Sequence, residues 1–259
     1  MAHEIGHKEI ESWLMALPHG RTTRSKYRTH LSSLFRYALN NGVIGTNPID
    51  RVAKMGIEEP PKGILTPDQT RRLLANADPS IVPALALCSF AGLRPESDTC
   101  RLDWSDIHLL KETITDHAGN KVKSYGHVDI RKSKGPGAER LVSITENLYE
   151  WLKRTRPASG SGPVFASYDR LNELIKAAAK SAGITHWPHD GMRHSFCSYH
   201  FAAFRNEALT MALSGHRCVT TFRRHYCRPI PQKVAFEFWK ITPPKGASNI
   251  IPIAIEVAA

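Results

Sequence analysis

Cysteine is scarce in this sequence: five thiols, Cys88, Cys100, Cys197, Cys218 and Cys227, in 259 residues. An odd number with no Cys-x-x-Cys pair argues against a disulfide framework and against a zinc ribbon. What remains is a set of small, mostly buried thiols. Acidic residues are also in deficit, 24 against 35 Lys plus Arg, for a formal charge of +11. That imbalance disfavours cationic partners and favours polyanions, with nucleic acid first for a globular chain. No apolar run approaches the length that spans a bilayer, and MAHEIGHKEI at the N-terminus is too polar for a secretory leader. An intracellular, cytoplasmic protein with no membrane partner is therefore expected. Internal repeats and low-complexity tracts are absent as well, which excludes a solenoid.

What is present, 41% hydrophobic residues in a chain of this length, is enough for two domains with buried cores. In SKYRTHLSSLFRYALNNG the apolar residues Tyr27, Leu31, Leu34, Phe35, Ala38 and Leu39 form a helical stripe that stops at Asn41-Gly42. GIEEPPKGI has two prolines, two glycines and no periodicity, and reads as a linker. After it, Thr66 is an N-cap, Pro67 suits the first helical position and Gln69 closes a capping box. IVPALALCSFAG, apolar on all sides, predicts a buried helix ending at Gly92. YGHVDIRK and AERLVSI flank a Gly-Pro-Gly turn and predict an antiparallel hairpin with Lys132 and Lys134 at its tip. Further helices are expected over TENLYEWLKRT, SYDRLNELIKAAAKSAG, MRHSFCSYHFAAF and QKVAFEFWK. The expected class is mainly α with a small antiparallel β-sheet. Its expected boundaries are a short helical domain over 1–57, a linker over 58–64, a second domain over 65–240 and a proline-broken tail over 241–259.

Basic residues cluster in places that suit a phosphate backbone. Arg21, Arg24, Lys26, Arg28 and Arg36 lie before and opposite the first helix's apolar stripe; Lys132 is on the hairpin; Arg223 and Arg224 precede a tyrosine. These are the candidate DNA-binding residues, set against the plainer reading of a solvated charged face.

Five residues far apart in the chain carry chemistry that suits one anionic site: Arg94 in FAGLRPES, Lys134, Arg193 in WPHDGMRHSF, His216 in LSGH and Tyr226 in FRRHY. Two guanidiniums can bracket a phosphate and stay charged as negative charge grows in a transition state. A lysine can protonate a departing alkoxide, a histidine can take or share a phenolic proton, and a phenol can serve as a covalent nucleophile. Such a site has no need of a metal or other cofactor. Singly, each residue has a bland alternative as a surface charge or a turn; their joint order is the stronger signal.

That order resembles the tyrosine recombinases of the phage integrase type. The matching segments are SKYRTHLSSLFRYALNNGVIGTNPIDRV, ILTPDQTRRLL, FAGLRPE with LDWSDI, IRKSKGPGAERLVSI, MRHSFCSY, and LSGH followed by TTFRRHY, over roughly residues 8–240. The resemblance implies a core-binding domain and a catalytic domain that clamp double-stranded DNA, with attack by Tyr226 on the scissile phosphate to form a 3′-phosphotyrosyl link. It implies that Arg94, Arg193 and His216 stabilise the transferring group, and that Lys134 assists the 5′-hydroxyl as it leaves. It further implies a homotetramer on DNA, a nucleoid location and a role in a mobile element.

This sequence departs from the family pattern in four places. The position three residues before Arg193, usually His, is Asp190, with His189 one residue early; a bulge at Gly191 would return His189 to the site as the sixth catalytic residue. Tyr226 lies one residue later than usual after His216, with His225 in the usual place, and Tyr226 is retained as nucleophile. Either Glu96 or Asp98 is the carboxylate that orients the site. The first domain is short. Two rival functions follow: a recombinase-like protein that binds DNA without cutting it, and a zinc site from His194, Cys197, His216, Cys218, His225 and Cys227, which lacks the usual ligand spacings. The apolar end NIIPIAIEVAA would dock on a neighbouring protomer, or else pack within the chain or fray.

Overall fold

The computed structural model describes residues 5–56, 63–115, 118–131 and 139–244. The chain divides into two compact units, Met1–Pro61 and Lys62–Ala259.

In the first unit, α1 (His7–Ala16) and α2 (Arg21–Asn40) meet a 3-10 turn, Pro48–Arg51. Its core is Ile10, Leu14, Phe35, Ile44, Ile49 and Val52. The apolar stripe of α2 is narrower than the sequence implies, because Tyr27 and Leu34 are exposed and only the face around Phe35 is covered by α1 and the turn. Arg28 explains how so small a unit holds its turn. Its guanidinium donates to the carbonyl of Ile49 at 3.1 Å and twice to that of Val52, at 2.7 and 3.2 Å. Each charge-assisted bond of this type is worth about 1.5–3 kcal/mol.

The second unit contains α3 (Pro67–Ala75), α4 (Val82–Phe90), strands β1 (Ile107–Thr115), β2 (Lys121–Ile130) and β3 (Arg140–Ser143), then α5 (Glu146–Thr155), α6 (Tyr168–Ser181), α7 (Gly191–Phe204), α8 (Glu207–Ser214), α9 (Val219–Tyr226) and α10 (Gln232–Trp239). The fold is mainly α with a small sheet. The Thr66–Gln69 capping box forms in full at the start of α3. All nine residues of α4 are buried, as expected of a helix apolar all round, and it packs between α5 and α7. The three strands run antiparallel in the order β1-β2-β3. The hairpin expected from YGHVDIRK and AERLVSI is the β2–β3 pair, with Val128 opposite Val142. Strand β1 has no clean apolar alternation because its register shifts between Leu109 and Glu112. The expected tail begins with Ile241 buried and its carbonyl accepting from Trp151 Nε1 at 3.0 Å; residues 245–259 lie outside the described residues.

Helix α7 is the spine of this unit. Met192, Phe196, Tyr199 and Ala203 are buried, as their helical spacing predicts, but Arg193, His194, Ser195, Ser198 and His200 are buried too. Polar groups out of water need partners. Ser195 Oγ accepts from the backbone of Leu65 at 2.8 Å, and Tyr199 donates to the Leu65 carbonyl at 3.0 Å, so the first residues of the unit are pinned to α7. The other polar side chains reach to segments that carry candidate site residues. Among the described residues, no helix is long and apolar enough to cross a membrane.

Candidate active site

Four hydrogen bonds of α7 assemble the site. Arg193, only 2% exposed, donates through Nη1 to the carbonyl of Gly92 at 2.6 Å and through Nη2 to the carbonyl of Ser214. Ser198 donates to the carbonyl of Tyr226 at 3.1 Å and accepts from the backbone of Arg228 at 3.0 Å. Gly92 is two residues before Arg94, Ser214 two before His216, and Tyr226 carries the phenol. One buried helix therefore grips, through Arg193 and Ser198, the three segments that bear the other candidates. Gly92 has φ +66°, and a Cβ there would come within 2.4 Å of the Phe196 ring, so this grip requires glycine.

The outcome is a cluster. The Tyr226 ring lies 4.0 Å from the His216 ring, 4.7 Å edge-on from His194, and 5.7 Å from the Arg193 guanidinium carbon, measured between centroids or to the ring centroid. His216 Nε2 is 3.4 Å from Arg193 Nη2, and its Nδ1 is 2.7 Å from Ser214 Oγ. Phe222, fully buried on α9, packs against His216 with ring centroids 5.3 Å apart. Arg94 is partly exposed at the edge of the cluster, its Nη1 3.8 Å from Asp98 Oδ2. Burial first, then the charges of Arg193 and Arg94, push the His216 pKa down to about 3, so the imidazole is neutral. Burial also lowers the Arg193 pKa, with Arg94 acting in the same sense, yet a guanidinium stays charged. A desolvated cation with a second cation beside it favours an incoming anion.

Asp98, rather than Glu96, is the carboxylate buried beside Arg94. Its side chain is wholly buried, and Oδ2 accepts from the Arg94 backbone at 3.0 Å and from Arg140 Nη2 at 3.0 Å, whereas Glu96 is exposed. Arg140 is a further residue of the site, outside the candidate set. It also donates through Nε to the Leu213 carbonyl at 2.9 Å, tying β3 to the turn that presents His216. A signal existed: two-residue alternation in RLVS sets Arg140 on the same side as the buried Val142. His194 faces Tyr226 as well, and helical spacing alone offers no sign of it.

The remaining candidates are distributed unevenly. His189 is not brought to the cluster: its side chain is 88% exposed and Nδ1 lies 3.6 Å from Asp190 Oδ2. No bulge forms at Gly191, which is the first residue of α7; Asp190 takes the left-handed turn instead, at φ 52°. Lys132 and Lys134 lie outside the described residues, as does the His225 side chain. Among the expected DNA-binding cations, Arg21, Lys26 and Arg224 are exposed. Arg36 is exposed with Asp50 at 3.8 Å. Arg24 donates to the Leu17 carbonyl at 2.9 Å, Arg28 is spent on Ile49 and Val52, and Arg223 holds Glu207 in a two-point contact at 2.7 Å. Among the described residues, no group of three His, Cys, Asp or Glu side chains is arranged to hold a metal ion.

Comparison with known proteins fits this geometry. A curated tyrosine recombinase from Thermosipho africanus (strain TCF52B) is 25% identical over 240 residues, covering 85% of this chain and 79% of the relative. Among solved structures, a lambda integrase dimer bound to a COC' core site matches with TM-score 0.58 at 18% identity, covering 85% of this chain and 81% of that one. The Tn1549 transposon integrase in complex with circular intermediate DNA matches with TM-score 0.61 at 19% identity, covering 91% and 86%. These structural likenesses show the fold. The phage integrase family model matches residues 64–233, the greater part of the chain and the whole of the cluster around Tyr226, and the chain belongs to that family, the tyrosine recombinases.

Proposed function

We propose that this protein is a site-specific DNA recombinase or integrase that cleaves and rejoins double-stranded DNA through Tyr226, with no metal or nucleotide cofactor. The phenolic oxygen attacks the scissile phosphorus, forming a 3′-phosphotyrosyl bond as the bond to the 5′-oxygen breaks. Its proton passes to neutral His216. Lys134 supplies the proton that the departing 5′-oxygen needs. Attack by a 5′-hydroxyl on the phosphotyrosine runs the same steps backwards, so the phosphodiester's bond energy is retained and no nucleotide is consumed. Arg94 and Arg193 stabilise the charge on the pentavalent phosphorus, the work a metal does elsewhere. The observation that carries this reading is the meeting of Arg193, His216 and Tyr226, each within a few ångströms, from α7, the loop after α8 and α9.

On this reading the first unit is a core-binding domain whose free cations, Arg21 and Lys26, contact phosphates, and the second is the catalytic domain, which Arg224 helps to seat. A structural relative is a lambda integrase tetramer bound to a Holliday junction; a tetramer on DNA is the assembly proposed here, acting on the chromosome in the cytoplasm. Asp190 in place of a histidine and the outward His189 favour a second reading, a protein that binds DNA without cutting it. A nicked or 5′-phosphorothiolate duplex separates the two. The expected result is a denaturant-resistant protein–DNA adduct that Tyr226→Phe abolishes while retaining DNA binding. An adduct that survives Tyr226→Phe removes the nucleophile assignment, and no adduct with any flanking sequence favours the silent reading.

A further inference from the structure

We infer that Ser214 is a positioning residue for the strand-transfer chemistry, its buried hydroxyl fixing His216 as the Nδ1–H tautomer and leaving Nε2 as the proton acceptor. The inference rests on the reading of Tyr226 as nucleophile, and it names the group that sets the partner's protonation.

Ser214 is fully buried at the end of α8, and its Oγ has oxygen or nitrogen neighbours at 2.6 Å (Thr210 carbonyl), 3.3 Å (Met211 carbonyl) and 2.7 Å (His216 Nδ1). A hydroxyl has one proton to give, and a carbonyl oxygen can only accept. The proton therefore belongs to the 2.6 Å contact with Thr210. Pointing it at Nδ1 instead would set the lone pairs of Oγ against a carbonyl oxygen at a fully buried position. With the proton so committed, the 2.7 Å contact to His216 is a hydrogen bond only if Nδ1 carries the hydrogen. Cys197 also touches Ser214, and a thiol can donate to the same oxygen without displacing the proton held by Thr210.

The far side of the ring gives the same answer. Nε2 stands 3.4 Å from Arg193 Nη2, a nitrogen that has only hydrogens to offer. An Nε2–H tautomer would place two donors face to face; the Nδ1–H tautomer presents a lone pair. Burial and the surrounding charges of Arg193, Arg94, His194 and Arg140 keep the ring neutral, so it bears only one N–H and the choice between nitrogens is decisive. The device is repeated one turn earlier on α8: Thr210 Oγ1 donates to the Asn206 carbonyl at 2.7 Å and meets His200 Nδ1 at 2.7 Å. In both cases a helical hydroxyl, bonded back to the carbonyl four residues earlier, becomes an oriented acceptor for an imidazole. Only His216 then turns its other nitrogen toward the cluster around Tyr226.

The test uses the full chain labelled with 15N-histidine and free of DNA, with two-dimensional spectra that separate pyrrole-like from pyridine-like ring nitrogens and His216→Gln to assign the signal. The expected spectrum shows His216 protonated at Nδ1 in the wild type and in Ser214→Thr, and a shift toward Nε2–H in Ser214→Ala. In single-turnover cleavage of a nicked duplex, Ser214→Ala is expected to slow adduct formation about tenfold or more with unchanged DNA affinity, and Ser214→Thr to restore it. An Nε2–H signal in the wild type overturns the inference, whatever the variants do. So does an Nδ1–H signal that persists in Ser214→Ala, or a Ser214→Ala defect that lies wholly in DNA affinity. If the wild type forms no adduct, the functional reading falls, while the spectra still decide the role of Ser214.

Discussion

Removing the Asp98 carboxylate is expected to cost more than any surface change in the second unit. Asp98 is fully buried and Arg140 is 9% exposed, with 3.0 Å between Oδ2 and Nη2, so Asp98→Ala strands a nearly buried guanidinium. It also removes the acceptor of the Arg94 backbone N–H at 3.0 Å. Breaking a buried pair from one side costs about 3–5 kcal/mol, against about 5–15 kcal/mol for the whole stability of a domain. With a urea slope of roughly 2 kcal/mol per molar, the unfolding midpoint falls by about 1.5–2.5 M. Trp104 and Trp151, both buried in this unit, report the transition by fluorescence. The decisive arm is the double variant Asp98→Ala/Arg140→Met. Replacing both charges with apolar groups removes the stranded cation, so the pair should cost well under the sum of the two single variants. A midpoint change below about 0.5 M for Asp98→Ala, or simple additivity in the double variant, would refute the view that this pair holds Arg94 and the His216 turn together.

Other consequences follow from the same contacts. Gly92→Ala forces a side chain into φ +66° and against Phe196 at 2.4 Å, and should cost about 2–4 kcal/mol and slow cleavage by displacing the carbonyl that holds Arg193; a wild-type melting temperature would contradict this. Arg28→Ala should destabilise the first unit by about 2–4 kcal/mol in thermal unfolding, whereas Lys26→Ala should leave stability unchanged and lower the salt slope of DNA binding by about 1. The folded-state pKa values of His200 and His216 are depressed by burial from 6.5 to about 4 and about 3. Below pH 6.5 the unfolded chain therefore binds more protons than the folded one, and stability is lost as pH falls from about 6.5 toward those values. Melting temperatures across pH 7.5 to 4.5 should fall, with a shallower slope for His200→Gln; an equal slope in that variant removes His200 from the account. Arg223→Ala breaks an exposed, solvent-screened pair with Glu207 and should leave the urea unfolding midpoint at its wild-type value.

The sequence alone determined the elements whose signals are local. Capping at Thr66 and Gln69, helical spacing in α7, the all-round apolar α4 and the alternation flanking the hairpin each depend on neighbours within a few residues, and each appears as read, whereas α2 forms but buries a narrower face than its stripe implies. Strand β1 was not legible because its register shift breaks the two-residue pattern. The order of Arg94, Arg193, His216 and Tyr226 along the chain also pointed to a common site, through its resemblance to the tyrosine recombinases. Tertiary structure decided which groups complete that site and which are spent elsewhere. Asp98 rather than Glu96 is buried against arginine, His194 rather than His189 meets Tyr226, and Arg28 and Arg223, read as phosphate ligands, are taken up by carbonyls and a carboxylate of the protein itself. The physical reason is that a buried polar group must find a partner across space, and sequence spacing does not say which distant carbonyl, carboxylate or ring will be within reach.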